Sequence, residues 1–304
     1  MEFTAKDVQA LREKTGCGMM DCKKALVETN GDMDAAVDFL REKGLAQQAK
    51  KAGRIAAEGV VLAEVFGNVG VVVELNAETD FVANSDKFRE LTAKIAKIIA
   101  DQKPADVDEL LTLTEGGVSV ADMIQEVFLA VRENIKVRRF ARYEGVVASY
   151  VHAGGKIGVL VKFDADASVL SNDSFKEMSK DVAMQIAAAM PTYLNRESVP
   201  QEVLAKEKSI LVSQMKEDPK MANKPEAVLE KIVAGKIGKY YSENCLVDQA
   251  FVKDDSLTVG KYVEAKAKEI GSAIAIADFV RFEKGEGIEK RQDNFAQEIA
   301  NMVK

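Results

Sequence analysis

Apolar positions in the first segment of the chain recur at spacings of three and four, which places them on one face of a helix. The pattern predicts three short helices, with a capping box at residues 4–7 and helix ends at Gly16, Asn30-Gly31 and Gly44. A module this small buries little apolar surface, so it should either dock on another part of the chain or be tethered to it. The polar residues 47–51 are the expected tether.

From residue 58 the pattern changes to short β-branched runs, which are typical of strands. Residues 60–64 and 69–75 are predicted to form a hairpin, followed by a helix that buries Phe88. The same unit returns further along the chain, where Glu58-Gly59-Val60-Val61 recurs as Glu144-Gly145-Val146-Val147 before another hairpin and helix. Two copies of one hairpin-helix unit are therefore expected to form the core.

Beyond Pro200 the strand pattern gives way to two helical stretches, which predict an antiparallel helical hairpin. A helix near 259–270, a strand over 273–282 and a last amphipathic helix carrying Phe295, Ile299 and Met302 are expected to follow. This mixture predicts the α+β class. The expected units are the three-helix module with its tether over 1–54, the first core copy over 55–143, the second over 144–199 and 241–282, the inserted hairpin over 200–240, and a C-terminal module over 283–304.

The charge balance narrows the choice of partners. The chain has 42 Lys and Arg against 49 Asp and Glu, a formal net charge of -7, which opposes attraction to phosphate backbones and anionic membranes. Neither direct binding of nucleic acid nor membrane association is expected, and no apolar run approaches the roughly 20 residues that span a bilayer. An odd number of cysteines, three, suits a reducing compartment, so a cytoplasmic location is expected.

Candidate catalytic chemistry is sparse in this sequence. His152 is the only histidine, and its predicted place in a turn beside Ala153-Gly154-Gly155 favours an exposed loop residue, although a catalytic triad that includes it stays open. Cys17 and Cys22 lack a second pair of ligands for zinc, and no phosphate-binding glycine loop occurs. A binding protein that is not an enzyme, with no cofactor and no metal, is therefore expected.

Two segments stand out as candidate binding sites. Met19 and Met20 open the second predicted helix, with Lys23 one turn further on. Methionine adapts its shape to partner surfaces, but the pattern equally allows both methionines to cap the small core.

The second segment is Thr79-Asp80-Phe81-Val82, between a predicted strand and helix. By itself it could be a helix cap followed by a core phenylalanine. In the second copy, counting back from the helix places Ala167-Ser168 opposite Asp80-Phe81, and counting forward from the hairpin places Ser168-Val169 there. Neither register has an acid followed by an aromatic residue. The fold can therefore be built without that pair, which favours a surface role for it in the first copy.

The chain resembles the elongation factor Ts family over its whole length. The resemblance rests above all on Gly18-Met19-Met20-Asp21-Cys22-Lys23-Lys24-Ala25-Leu26 and Thr79-Asp80-Phe81-Val82, which occur in order and at family distances. It implies a ubiquitin-associated-like N-terminal module, a core of two related subdomains, an inserted helical hairpin and a C-terminal module. It also implies a translation elongation factor of protein biosynthesis that promotes GDP release from, and GDP/GTP exchange on, elongation factor Tu.

The resemblance further implies roles for single residues. Asp80 and Phe81 would enter near the magnesium and phosphate site of the GTPase and dislodge the ion. The methionines and Lys23 would contact its nucleotide-binding domain. The full set expected to bind the partner is Met19, Met20, Lys23, Thr79, Asp80, Phe81, Val82 and His152.

Several questions stay open at this point. Family members often have Ile-Gly before Glu-Asn-Ile, whereas this chain has Val131-Arg132, so a contact made by that pair is in question. The resemblance leaves open a homodimer or a two-plus-two complex with the GTPase. The alternatives to an exchange factor are a general interaction module for ubiquitin-like or nascent-chain partners and an enzyme that uses His152.

Overall fold

The computed structural model describes residues 3–217 and 224–289. It combines helices with antiparallel sheets, which confirms the α+β class. In this described part of the chain, no helix has both the length and the apolar character needed to cross a membrane. Residues 218–223 of the predicted helical hairpin and the last predicted helix, with Phe295, Ile299 and Met302, lie outside the described residues.

The order of elements follows the repeat predicted from the sequence. The strands are β1 (Glu58–Phe66), β2 (Val69–Ala77), β3 (Thr114–Glu115), β4 (Val118–Ser119), β5 (Lys136–Glu144), β6 (Val146–His152), β7 (Ile157–Ala165), β8 (Ala250–Phe251), β9 (Asp254–Thr258) and β10 (Ile274–Glu283). The α-helices are α1 (Ala5–Thr15), α2 (Met19–Glu28), α3 (Met33–Lys51), α4 (Asp80–Ala83), α5 (Asp86–Gln102), α6 (Val107–Thr112), α7 (Val120–Val131), α8 (Asp173–Ala189), α9 (Gln201–Glu217), α10 (Glu226–Asn244) and α11 (Val259–Ile270).

Two three-stranded antiparallel sheets form the core, in the orders β1-β2-β5 and β10-β7-β6. Each contains one predicted hairpin, and each hairpin is followed by a long helix, α5 or α8, that packs on the outer face of its own sheet. Their inner faces pack against each other. The core is therefore four layers deep, helix on sheet on sheet on helix, and the two related hairpin-helix units are confirmed.

The two sheets meet through a pair of reciprocal contacts. Gly70 of β2 lies against Val147 of β6, and Gly158 of β7 lies against Val61 of β1. A Cβ atom added at either glycine would overlap with the facing valine. Because the glycines occupy matching positions in the two copies, as do the valines, the contact has an approximate internal two-fold symmetry.

The first two N-terminal helices begin and end close to the predicted positions, whereas the third runs further than predicted. Thr4 and Asp7 form the expected capping box, and Gly16, with φ of 68°, ends α1. The expected end of the third helix at Gly44 is wrong, and residues 47–51 are helical rather than a tether. Gly44 lies against Leu129 of α7, where an added Cβ would overlap with the leucine side chain. This close helix packing outweighs the low helix propensity of glycine, so the module docks on the core along α3.

Strand β5 is an element that the sequence pattern did not predict. A bulge opposite Glu74 and Leu75 leaves Arg138 without a partner in the ladder, since Glu74 pairs with Arg139 and Leu75 pairs with Val137. As a result two successive arginines reach one carboxylate. Glu74 is fully buried and accepts hydrogen bonds from Arg138 at 3.0 Å and Arg139 at 2.7 Å. This buried ion cluster links β2 to β5 within the first sheet.

The same carboxylate also holds the chain after β10. The backbone N–H of Gly285 donates to Glu74 at 2.8 Å, and the carboxylate of Glu286 pairs with Arg139 at 3.0 Å. The segment that follows the second sheet is thereby attached to the first sheet. Glu74 is a point at which the two halves of the core are joined by charge as well as by apolar packing.

Replacing Glu74 by alanine should destabilise the protein strongly. The substitution leaves two arginines, about one quarter exposed, without their shared carboxylate, and breaking such a buried cluster costs about 3 kcal/mol. Urea unfolding followed by circular dichroism would measure this loss. Glu264→Ala removes an exposed pair with Lys268 and is the matched control. An equal unfolding midpoint for the two variants would contradict the role given to Glu74.

Candidate partner-binding site

The turn with Asp80 and Phe81 is built so that one apolar side chain points out and the next points in. Thr79 caps α4, its hydroxyl accepting a hydrogen bond from the N–H of Val82 at 3.3 Å. Phe81 is 84% exposed, whereas Val82 is only 4% exposed and belongs to the core of the first sheet. Val82, predicted as a partner contact, therefore anchors the turn from below, while Phe81 is presented to solvent.

The second copy has a short 3-10 helix, Ala167–Ser171, at the equivalent place. Its Val169 is buried like Val82, and both valines precede the buried phenylalanine of the following helix by the same number of residues. The structure therefore selects the alignment counted back from the helix. In that alignment Ala167-Ser168 stands opposite Asp80-Phe81, so the second copy forms its turn with two small residues.

Glu133, in the loop after α7, holds the Phe81 turn from its other side. Its carboxylate accepts hydrogen bonds from the N–H of Thr79 at 2.9 Å and from the Thr79 hydroxyl at 2.7 Å. In return, the carboxylate of Glu78 accepts a hydrogen bond from the N–H of Asn134 at 2.7 Å. The sequence pattern at Glu133-Asn134 does not indicate these contacts, because Glu78 and Thr79 are more than 50 residues away along the chain.

His152 was predicted to lie in a turn, but it is the last residue of β6, where it pairs with Ile157 and is exposed. The turn of residues 153–156 that follows it, called here the His152 turn, leads to β7. Arg89 of α5 links this turn to the Phe81 turn, since it donates to the side-chain oxygen of Asn84 at 3.0 Å and to the carbonyl of Gly154 at 3.4 Å. The Nδ1 atom of His152 lies 3.0 Å from the Tyr150 hydroxyl. That neighbour is an aromatic hydroxyl rather than the carboxylate that orients a triad histidine.

The methionine edge, defined here as Met19 and Met20 at the start of α2, is open to solvent. The two side chains are 46% and 74% exposed, and neither belongs to the core of the N-terminal module. Lys23 is exposed on the same helix. Of the two alternatives left by the sequence, capping the small core or facing a partner, this exposure favours the partner.

Arg132 connects the methionine edge to the rest of the candidate site. It ends α7 with φ of 61°, and its guanidinium donates to the carboxylate of Asp21 at 2.7 Å and to the side chain of Gln47. Asp21 directly follows Met20, and Glu133 directly follows Arg132. The predicted site residues therefore lie on three segments that hydrogen bonds join: the start of α2, the Phe81 turn, and the end of β6 with the His152 turn.

The fold and the site together define a class of protein. It is an α+β scaffold that presents exposed apolar side chains at a helix start and on a capped turn, which hydrogen bonds join, as protein-binding surfaces do. The family model for Elongation factor TS matches residues 78–286. Elongation factor Ts of Clostridium perfringens strain 13 is 49% identical over 306 residues, covering 99% of both chains. Elongation factor Ts of Magnetococcus marinus is 46% identical over 308 residues, covering 100% of this chain and 99% of the relative. The chain therefore belongs to the elongation factor Ts family of translation elongation factors.

Replacing Asp80 and Phe81 together by the Ala-Ser pair of the second copy should hardly change stability. Phe81 is 84% exposed and leaves no cavity when it is truncated, so the melting temperature should stay within about 3 °C of the original. Differential scanning calorimetry would measure the change. Phe88→Ala, at a fully buried position on the next helix, is the matched control and should cost about 3–5 kcal/mol. A comparable drop for both variants would mean that Phe81 is structural.

Proposed function

We propose that this protein promotes the release of GDP from elongation factor Tu, and so the exchange of GDP for GTP, by inserting the Asp80-Phe81 turn near the magnesium and phosphate site of that GTPase. The observation that carries the proposal is Phe81, which is 84% exposed on a turn capped by Thr79 and anchored by buried Val82. Membership of the elongation factor Ts family supports the choice of partner.

The mechanism requires no covalent chemistry. Guanine nucleotides are bound largely through charge, with magnesium bridging phosphate oxygens, so displacing the ion weakens nucleotide binding. Asp80 brings a carboxylate to that site and Phe81 brings a rigid apolar ring. If the factor weakens nucleotide binding by roughly 1000-fold, the coupling free energy is about 4 kcal/mol. Nucleotide then weakens binding of the factor by the same ratio, so incoming GTP displaces it.

The other exposed residues supply affinity rather than displacement. Met19, Met20 and Lys23 contact the nucleotide-binding domain of the GTPase, where flexible methionines adapt to its surface. His152 makes a further contact from the end of β6. Exposed apolar side chains of this kind act as anchors when they are buried at an interface.

Loss of the Asp80-Phe81 pair should slow nucleotide release. In stopped-flow release of a fluorescent GDP from elongation factor Tu, the protein at micromolar concentration should accelerate release. Asp80→Ala with Phe81→Ser should reduce that acceleration by roughly 10-fold or more, about 1.4 kcal/mol of lost coupling.

Ala167→Ser with Ser168→Ala changes the equivalent turn of the second copy and is the matched control. It should leave release as fast as with the original protein. Absence of acceleration by the original protein would contradict the proposal, and would favour a general interaction module instead. Normal acceleration by the Asp80-Phe81 variant would place the displacing contact elsewhere.

The inserted hairpin, α9 with α10, is proposed as an accessory element for self-association, giving a homodimer or a two-plus-two complex with the GTPase. Ile210, Val212 and Val228 are exposed apolar side chains on its two helices. Ile210→Lys with Val212→Glu should therefore lower the mass seen in sedimentation while leaving the rate of GDP release nearly unchanged. The reverse result would make the hairpin a primary contact with the GTPase.

A further inference from the structure

Arg132 has a backbone conformation that is unfavourable for residues with a Cβ atom. With φ of 61° it lies in the left-handed region, where glycine ends helices at lower cost than any residue with a Cβ. The backbone conformation alone therefore does not explain an arginine at this position. Its side chain, however, makes contacts that a glycine could not make, to Asp21 at 2.7 Å and to Gln47. Those contacts tie α2 and α3 of the N-terminal module to the end of α7.

The next two residues, Glu133 and Asn134, connect the end of α7 to the Phe81 turn. Glu133 accepts both hydrogen bonds from Thr79, and the N–H of Asn134 donates to Glu78. Residues 132–134 therefore contact the N-terminal module beside the methionine edge on one side. On the other side they hold the turn that carries Phe81.

We propose that residues 132–134 are a positioning bridge, which holds the methionine edge and the Phe81 turn at one spacing so that both engage the same GTPase together. Arg132 is the positioning residue of this bridge, because it acts through Asp21. This inference rests on the proposed function. Two contact sites held at the correct spacing bind together more tightly than either alone, since the second contact forms at high effective concentration.

The two sides of the bridge predict different kinetic effects. Loosening the Arg132 side removes a contact that holds the start of α2, while α3 stays packed on α7. The methionine edge is then held less precisely, so more protein is needed to reach the same occupancy. The rate of GDP release at saturation stays the same, because the turn itself is unchanged. Loosening the Glu133 side disturbs the turn, so the rate at saturation falls.

The test measures GDP release from elongation factor Tu over a range of concentrations of the full-length protein. Arg132→Gly should raise the concentration for half-maximal acceleration by about 3- to 10-fold and leave the saturating rate within about 2-fold. The melting temperature of the Arg132→Gly variant should not fall, because glycine suits the backbone conformation at this position. Glu133→Ala should instead lower the saturating rate.

Lys103→Gly is the matched control. Lys103 also ends a helix, α5, in the left-handed conformation, with φ of 54°, and also forms an ion pair, with Glu144 at 2.5 Å. It lies outside the candidate site, so its replacement should change neither kinetic parameter.

A second pair of variants tests the Asp21 contact itself. Asp21→Asn should raise the half-maximal concentration as Arg132→Gly does, and the double variant should be no weaker than the worse single variant. Arg132→Lys, which keeps the charge but not the forked geometry, should fall between the original protein and Arg132→Gly.

Additive effects of the two substitutions, or an unchanged half-maximal concentration for Arg132→Gly while the original protein accelerates release, would overturn the bridge alone. Failure of the original protein to accelerate release would instead overturn the proposed function.

Discussion

The close approach of the two sheets at Gly70 and Gly158 is the constraint on which the rest of the core depends. Each glycine makes room for a valine of the other copy, so the inner faces of both hairpins are fixed at once. Side chains alternate along a strand, and therefore placing Val61 toward the other sheet places Val60 toward α5. The outer helices and their separate cores follow from that choice, because a slip of one residue in either hairpin would exchange inner and outer faces.

This packing also brings the proposed contact sites together. The carbonyl of Gly155, in the turn that follows His152, accepts a hydrogen bond from the N–H of Val61 at 2.8 Å. This turn of the second copy is therefore attached to the first strand of the first copy. The Phe81 turn follows the strand paired with that one, and Arg89 joins the two turns. Segments distant in sequence therefore share one face of the molecule because the sheets are rigidly packed, without any long flexible connection between them.

Local patterns predicted the elements that local chemistry determines. The hairpins, the amphipathic helices and the capping box depend on neighbouring residues, and within the described residues the structure has them where the pattern placed them. The end of the third helix was predicted wrongly because the part played by Gly44 depends on Leu129, a residue of another helix. Strand β5 was missed because its arginines hide the alternation of a strand, and their buried partner Glu74 is on a different strand. The exposure of Phe81 could be predicted because the second copy, which has no aromatic residue at that position, served as a reference for the first.

The candidate site separates the residues that present a surface from those that position it. Phe81 is exposed, whereas Val82 beside it is buried and fixes the direction in which Phe81 points. The same division holds at the methionine edge, where Asp21 directly follows the exposed side chain of Met20. Asp21 accepts a hydrogen bond from Arg132, which is 111 residues away in sequence. Residue types can indicate the presenting set, because methionine and phenylalanine are more often buried than exposed and so stand out in a polar segment. The positioning set depends on hydrogen bonds between distant segments, so only the folded structure identifies it.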